Sequence, residues 1–148
     1  MKNLLLPLLT ASLLFAACGG EPAKNPTTPT AAGPKAGAMD DHGERKPLGD
    51  LTIGTHTFAL IQYGAIEAGK EASFDLEFPA GKALPGTVRA WVGVESGQGS
   101  MKARLAKEGD RTVHGHVQVP KPIPEGSKVW IEIEEGGAPA RGSTGWKP

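Results

Sequence analysis

The chain has almost no cysteine and no net charge. Cys18 is the single cysteine among 148 residues, so neither an intrachain disulfide nor a metal cage of several thiolates can form. Lys plus Arg and Asp plus Glu balance at 16 each, which leaves no charge excess of the kind that binds nucleic acid or an acidic membrane surface. We therefore expect no nucleic-acid partner.

Helical periodicity is also lacking, since no window of about 10 residues or more repeats its apolar positions at helical spacing. Glycine and proline are instead abundant, at 21 and 13 residues. This composition is typical of a looped β-domain joined to a flexible segment rather than of a helical bundle. The sequence therefore predicts an all-β protein.

The N-terminus carries the pattern of a secretory signal peptide. Lys2 precedes an apolar run at residues 4–15, which is too short to cross a bilayer comfortably. Ala16 and Ala17 then lead directly to Cys18. This arrangement resembles the lipobox of bacterial lipoproteins, except that Phe15 stands where that family usually has leucine. The alternative is a plain signal peptide followed by an incidental cysteine.

The resemblance to bacterial lipoproteins implies removal of residues 1–17 and acylation of Cys18, for example with palmitate. Several acyl chains would hold the protein permanently on a membrane. Gly19 follows the cysteine where an aspartate would retain such a protein in the inner membrane, so the resemblance implies the outer membrane, facing the periplasm or the outside.

Residues 18–48 are rich in proline, alanine and threonine and contain no aromatic residue. Such a segment buries too little apolar surface to offset the entropy of ordering, so we expect a disordered tether. Near its end, Met39, Asp40, Asp41 and His42 could coordinate a divalent metal loosely. The alternative interpretation of this motif is a polar linker.

Residues 49–148 alternate apolar and polar positions between turn signals, as in a β-sandwich. We predict an immunoglobulin-like β-sandwich of about seven strands. The cysteine pair of antibody domains is missing, so only the architecture is implied. The predicted strands lie near residues 51–53, 56–63, 72–78, 87–94, 101–107, 111–119 and 128–134.

Signatures of catalysis are missing from this domain. The glycine-rich loop at residues 93–100 has neither a phosphate-loop spacing nor a nucleophile elbow, and Ser100 has no evident base beside it. Glu132, Glu134 and Glu135 have the pattern of a solvated strand face rather than of an acid–base pair. We therefore expect a binding or structural module and not an enzyme.

His114 and His116 are the strongest candidates for chemistry. They are two residues apart in a strand-like run, so they share one face, a spacing found in copper sites of β-sandwich proteins. Met101 could add a thioether ligand. With this histidine pair the domain resembles the small copper-resistance sandwiches of the bacterial envelope, which implies copper as the cofactor; it lacks their methionine-rich loop.

Strand register weighs against Met101 as a ligand. Pairing the apolar positions of residues 101–105 with those of residues 113–119 requires a loop at residues 107–109 or 108–110. Either register sends Met101 into the core and sets Lys102 or Arg104 beside the histidines, where a cation opposes metal binding. The histidines then form a polar strand face, unless another strand supplies the missing ligand.

Trp91 and Trp130 both fall on the outward positions of their strands. One of them could cover an edge of the domain, whereas both together would form an exposed aromatic patch for a protein partner or a glycan. The sequence thus predicts a lipid-anchored envelope protein that presents a non-catalytic binding module. The alternative is an accessory protein for copper binding or resistance, acting through His114 and His116.

Overall fold

The computed structural model describes residues 42–148, and this part of the chain is all-β. It has eight strands and, within these residues, no helix, which confirms the predicted all-β class. The strands are β1 Arg45–Ile53, β2 His56–Tyr63, β3 Glu71–Glu77, β4 Thr87–Gly93, β5 Ala103–Glu108, β6 Thr112–Gln118, β7 Lys128–Glu134 and β8 Ala140–Thr144.

The first and last strands differ from the sequence prediction. β1 begins at Arg45, so the domain starts earlier than the predicted residue 49 and includes the end of the predicted tether. β8 was not predicted, because glycine and serine at its centre give no apolar alternation. The predicted signal peptide, Cys18 and most of the tether lie outside the described residues.

All strand pairs are antiparallel, in the order β1-β2-β3-β6-β5-β4-β7-β8. The first and last strands of this order also contact each other, so the sheet is nearly closed. β5 connects the two halves, since Ala106 to Glu108 pair with β6 and Ala103 to Leu105 pair with β4. No helix in residues 42–148 has the length and apolar character needed to cross a bilayer.

The core follows the predicted alternation. Phe74 and Leu76 of β3 point inward together with Val113 and Val117 of β6. His114 and His116 lie on the opposite face of β6. The branched and aromatic side chains that favour strands thus fill the interior. The other half of the sheet contributes a matching set, namely Val88, Ala90, Val92, Val129, Ile131 and Ile133.

Gly115 is required where β5 changes partner. A Cβ atom at this position would lie 2.9 Å from Leu105 Cγ and 3.2 Å from Leu105 Cα. Glycine therefore lets the backbones of β5 and β6 approach closely at an inward position of β6. Because Gly115 lies between His114 and His116, the close approach of the two backbones also fixes the positions of the two histidine side chains on β6.

The β5–β6 hairpin differs from both predicted registers. Glu108 pairs with Thr112, which leaves Gly109, Asp110 and Arg111 as the loop, with Gly109 at a φ of 67°. The parity is as predicted, because odd-numbered residues still pair with odd-numbered residues, as Lys107 does with Val113, but the loop lies further along the chain. This shift changes which β5 residues stand beside the histidines.

Candidate metal centre

His114 and His116 project from the outer face of β6, as the alternation of the valines predicts. Their Nε2 atoms are 3.4 Å apart, and their ring planes are nearly perpendicular at 84°. Two ligands on metal bonds of about 2.0–2.1 Å, at the tetrahedral angle, are about 3.4 Å apart. The pair therefore has the separation of two ligands of one tetrahedral metal ion.

His42 supplies a third imidazole. Its ring centroid lies 5.0 Å from that of His114 and 4.9 Å from that of His116. One nitrogen from each of the three rings lies within 4.8 Å of the other two. The sequence assigned His42 to a loose motif on the tether, whereas the structure brings it to the strand histidines.

Close backbone contact places His42 at this position. The Gly64 N–H donates a 2.9 Å hydrogen bond to the Glu44 carbonyl, which holds the segment before β1 against the end of β2. A Cβ atom on Gly43 would lie 3.2 Å from Gly64 Cα, and Gly43 has a φ of 84°. Gly43 and Gly64 therefore allow the backbone before β1 to pass close to the end of β2.

Asp75 orients the central imidazole. β3 and β6 pair Asp75 directly with His114, and the carboxylate Oδ1 lies 2.6 Å from His114 Nδ1. A carboxylate at this distance accepts a hydrogen bond from the Nδ1–H tautomer of His114, and in that tautomer Nε2 carries the lone pair, on the side of the histidine cluster. Metal-binding histidines commonly have such a carboxylate partner.

Tyr63 completes this arrangement from β2. Its hydroxyl donates a 2.8 Å hydrogen bond to Asp75 Oδ2, so both carboxylate oxygens have a donor. Desolvation of the phenol and its bond to Asp75 raise the pKa of Tyr63 to about 12. Tyr63 therefore stays protonated and holds the Asp75 carboxylate in place. That carboxylate in turn orients the His114 ring.

Glu108 lies on the other side of His114. Its carboxylate, that of Asp75 and a His114 ring nitrogen all lie within 4.8 Å of one another. The β5 residue opposite His114 is neither of the predicted cations, Lys102 and Arg104. Instead, Ala106 lies opposite His114 and Arg104 pairs with Arg89 on β4.

Met101 and Lys102 both depart from the prediction. Met101 is 65% exposed rather than in the core, and it precedes the part of β5 that pairs with β4. Lys102 Nζ lies 3.2 Å from Glu132 Oε2 and 4.3 Å from the centroid of the Trp91 ring. Both residues lie just before the part of β5 that pairs with β4, and therefore next to the other half of the sheet.

The two tryptophans do not form an exposed patch. Trp91 is 0% exposed, and its ring stacks on Trp130 at a centroid distance of 6.0 Å and an angle of 10°. Its indole N–H donates to the Val94 carbonyl, and that of Trp130 to the Gly93 carbonyl. Trp130 is half-buried, so the predicted interaction surface loses Trp91 and keeps only part of Trp130.

Glu132 is buried, contrary to the predicted solvated strand face. It accepts hydrogen bonds from Arg141 at 2.6 Å and Lys102 at 3.2 Å, and Arg89 lies 3.4 Å away. Burial alone would raise the pKa of Glu132, but the bonds from Arg141 and Lys102 outweigh it, and the pKa is lowered. This carboxylate is an ionised structural group.

Sequence reasoning found two of the three clustered imidazoles and none of their supporting groups. Asp75 had only the signal of an outward position on an alternating strand, which fixes the face and not the neighbour. Tyr63 lies on the neighbour of β3 and Glu108 on the neighbour of β6, so they meet around His114 only because β3 pairs with β6. Comparisons of the chain with protein-family models, with curated proteins and with solved structures found no match.

Proposed function

We propose that this protein binds a divalent transition-metal ion through His42, His114 and His116. The observation that carries the proposal is the convergence of three imidazole nitrogens within 4.8 Å, with His114 and His116 at a ligand-like separation of 3.4 Å. Asp75 further supports it, because its bond to His114 Nδ1 selects the tautomer that presents Nε2 to a metal.

Copper(II) is the ion we expect to bind most tightly. Imidazole ligands suit zinc, copper and nickel, and affinity for a given nitrogen site rises toward copper in the first-row series. The three ligands that we assign are all imidazoles, whereas copper(I) prefers thiolate or thioether sulfur. Three protein ligands also leave a coordination position for water or for a group from another molecule.

We infer that the domain works at a membrane of the bacterial envelope. This proposal rests on residues 1–20, where the apolar run, Ala16, Ala17 and Cys18 resemble a lipoprotein signal. Acylated Cys18 would anchor the chain, most simply in the outer membrane. The domain then serves as a non-catalytic metal-binding module, suited to holding or passing on copper.

The immunoglobulin-like sandwich is part of the same proposal. Its support is that the core residues of β1, β2, β3 and β6 pack against those of β4 and β7 in one cluster. The crossing of β5 between β6 and β4 would then connect the two layers. In such an arrangement the histidine cluster lies on the outer face of one layer.

The test is a titration of the full chain, purified in mild detergent, with copper(II) and separately with zinc(II). We expect a dissociation constant of micromolar or tighter. This threshold separates a built site from isolated surface histidines, which bind metal more weakly. His42→Ala, His114→Ala and His116→Ala should each weaken binding by more than about 100-fold, the upper cost of losing an outer-shell partner.

The fourth histidine is the matched control. His56 lies against Phe78 and Glu135, outside the cluster, so His56→Gln should bind metal like the natural chain. A Cys18→Ser chain excludes binding by an unmodified thiol. Wild-type affinity in the three cluster variants would overturn the proposal, and a loss with His114→Ala and His116→Ala but not with His42→Ala would reduce the site to the strand pair.

A further inference from the structure

We propose a second metal position, on the Nδ1 side of His114, formed by Asp75 and Glu108. It rests on the proposed function, because His114 would bind one ion through each ring nitrogen. The three side chains bring one ligand atom each to within 4.8 Å of the other two. The proposed centre therefore holds two ions bridged by one imidazole ring.

The strand pairing places the three ligands on one face. Asp75 of β3 pairs with His114 of β6 on one side. On the other side Ala106 of β5 pairs with His114, and Glu108, two residues further along β5, shares the face of Ala106. A carboxylate from each neighbouring strand thus approaches the central imidazole.

The chemistry requires one proton to leave. Without the second ion, His114 Nδ1–H donates a hydrogen bond to Asp75 Oδ1, and the nitrogen and oxygen atoms are 2.6 Å apart. When the ion binds, the Nδ1–H bond breaks, an Nδ1–metal bond forms, and the proton passes to solvent. With metal–nitrogen bonds of about 2.0 Å on both sides of the ring, the two ions would be about 6 Å apart.

The two positions differ in their ligands. The first has two neutral imidazoles and the bridging ring, whereas the second has two carboxylates and the same ring, which is an imidazolate once its Nδ1 proton has left. Carboxylates offset the charge of the second cation, and they suit harder ions than an all-imidazole site does. We therefore expect copper(II) to fill the first position and zinc(II) the second when both are supplied.

The competing interpretation is that Asp75 serves only as a hydrogen-bond acceptor for His114, as in many mononuclear sites. That interpretation gives one ion per chain and no role for Glu108. Stoichiometry and the effect of Glu108 therefore separate the two.

The experiment loads the full chain with copper(II) and then zinc(II), removes free metal by gel filtration, and measures the metal content. We expect one ion of each metal per chain. Glu108→Gln should retain the copper and lose the zinc, while Glu95→Gln, at an exposed loop position, should retain both. In a second arm with copper(II) alone, two bridged ions should couple magnetically and reduce the electron paramagnetic resonance signal per copper, and Glu108→Gln should restore it.

The outcomes separate this inference from the proposed function. One ion per chain with histidine-dependent affinity would overturn the second position and leave the first intact. Two ions in both the natural chain and Glu108→Gln would overturn the assignment of Glu108. No histidine-dependent binding would overturn both proposals.

Discussion

The outer surface of the domain has two clusters of polar and aromatic side chains that differ in how their groups are satisfied. The histidine face consists of His42, His114 and His116 with Asp75 and Tyr63. The tryptophan face consists of Trp91 and Trp130 with Glu132 and its three cations, Arg89, Lys102 and Arg141.

On the tryptophan face the charged groups neutralise one another. Glu132 has three cationic neighbours, and both indole N–H groups donate to backbone carbonyls. On the histidine face, one carboxylate fixes one ring, and nitrogens of three rings converge. The difference teaches that polar clustering alone does not indicate a binding site, whereas nitrogen atoms that converge from three imidazoles point to one.

The largest effect should come from emptying the tryptophan face. Trp91→Ala removes a fully buried indole and should lower the free energy of unfolding by about 3–5 kcal/mol. Half-buried Trp130→Ala should cost less. Urea unfolding measures both, and the folded fraction of each variant should keep its metal affinity. A cost for Trp91→Ala no greater than that for Trp130→Ala would contradict the structural role given to this face.

A smaller loss of stability should follow Glu132→Gln. The change removes the charge that three cations share, and we expect a cost of about 2 kcal/mol, reduced by the partial exposure of the cations. Metal affinity should be unchanged. A Glu132→Gln chain that lost its metal site would break the separation between the two faces.

The same carboxylate gives a pH dependence with a definite sign. Because the folded pKa of Glu132 lies below its ordinary value of 4.5, its contribution to stability is present above that value and is lost as the pH falls through the folded pKa. Unfolding free energies measured from neutral to acidic pH should therefore fall more steeply in the natural chain than in Glu132→Gln. Parallel curves would contradict the lowered pKa.

On the histidine face, Asp75→Asn should reduce metal affinity by about 10–100-fold, the usual cost of losing a carboxylate that orients a histidine ligand. Its effect on stability should be smaller than that of Glu132→Gln. Asp50→Asn, at an exposed position of β1, is a matched control. Undiminished affinity in Asp75→Asn would show that the carboxylate does not orient the metal-binding imidazole.

Tyr63 provides the mildest test, and as the single tyrosine it gives an unambiguous ultraviolet signal. Its phenol should ionise near pH 12 rather than at its ordinary value of 10. The raised pKa contributes stability below pH 10 that is lost as the pH rises toward 12. In Asp75→Asn the pKa should fall by a minor part of this difference, because desolvation, its larger cause, remains. An unshifted phenol in the natural chain would contradict the Tyr63–Asp75 contact.

The sequence was sufficient to predict which side chains of a strand point inward and which point outward, because this depends only on alternation within that strand. The inward set of Phe74, Leu76, Val113 and Val117 and the outward histidine pair follow from a period of two, and the structure confirms them. The same rule failed for Trp91 and Glu132, which are outward yet buried. Their burial comes from stacking and ion pairing across strands, which a one-strand pattern does not contain.

The centre itself depends on pairings between distant parts of the chain. His42 joins it only because Gly43 packs on Gly64, and Asp75 because β3 pairs with β6 rather than with β4. Met101 was placed wrongly because β5 changes partner midway, which Gly115 permits. Register and crossover are set by the whole core, so they could not be predicted from local spacing.

The central claim is that His42, His114 and His116 bind the same ion. Nitrogen-detected nuclear magnetic resonance of the imidazole side chains, during a titration of the full chain with zinc(II), tests this most directly. The account predicts that the side-chain nitrogens of these three histidines shift together up to one equivalent, while those of His56 do not move. Shifts confined to His42, or no shift of His114 and His116, would contradict it.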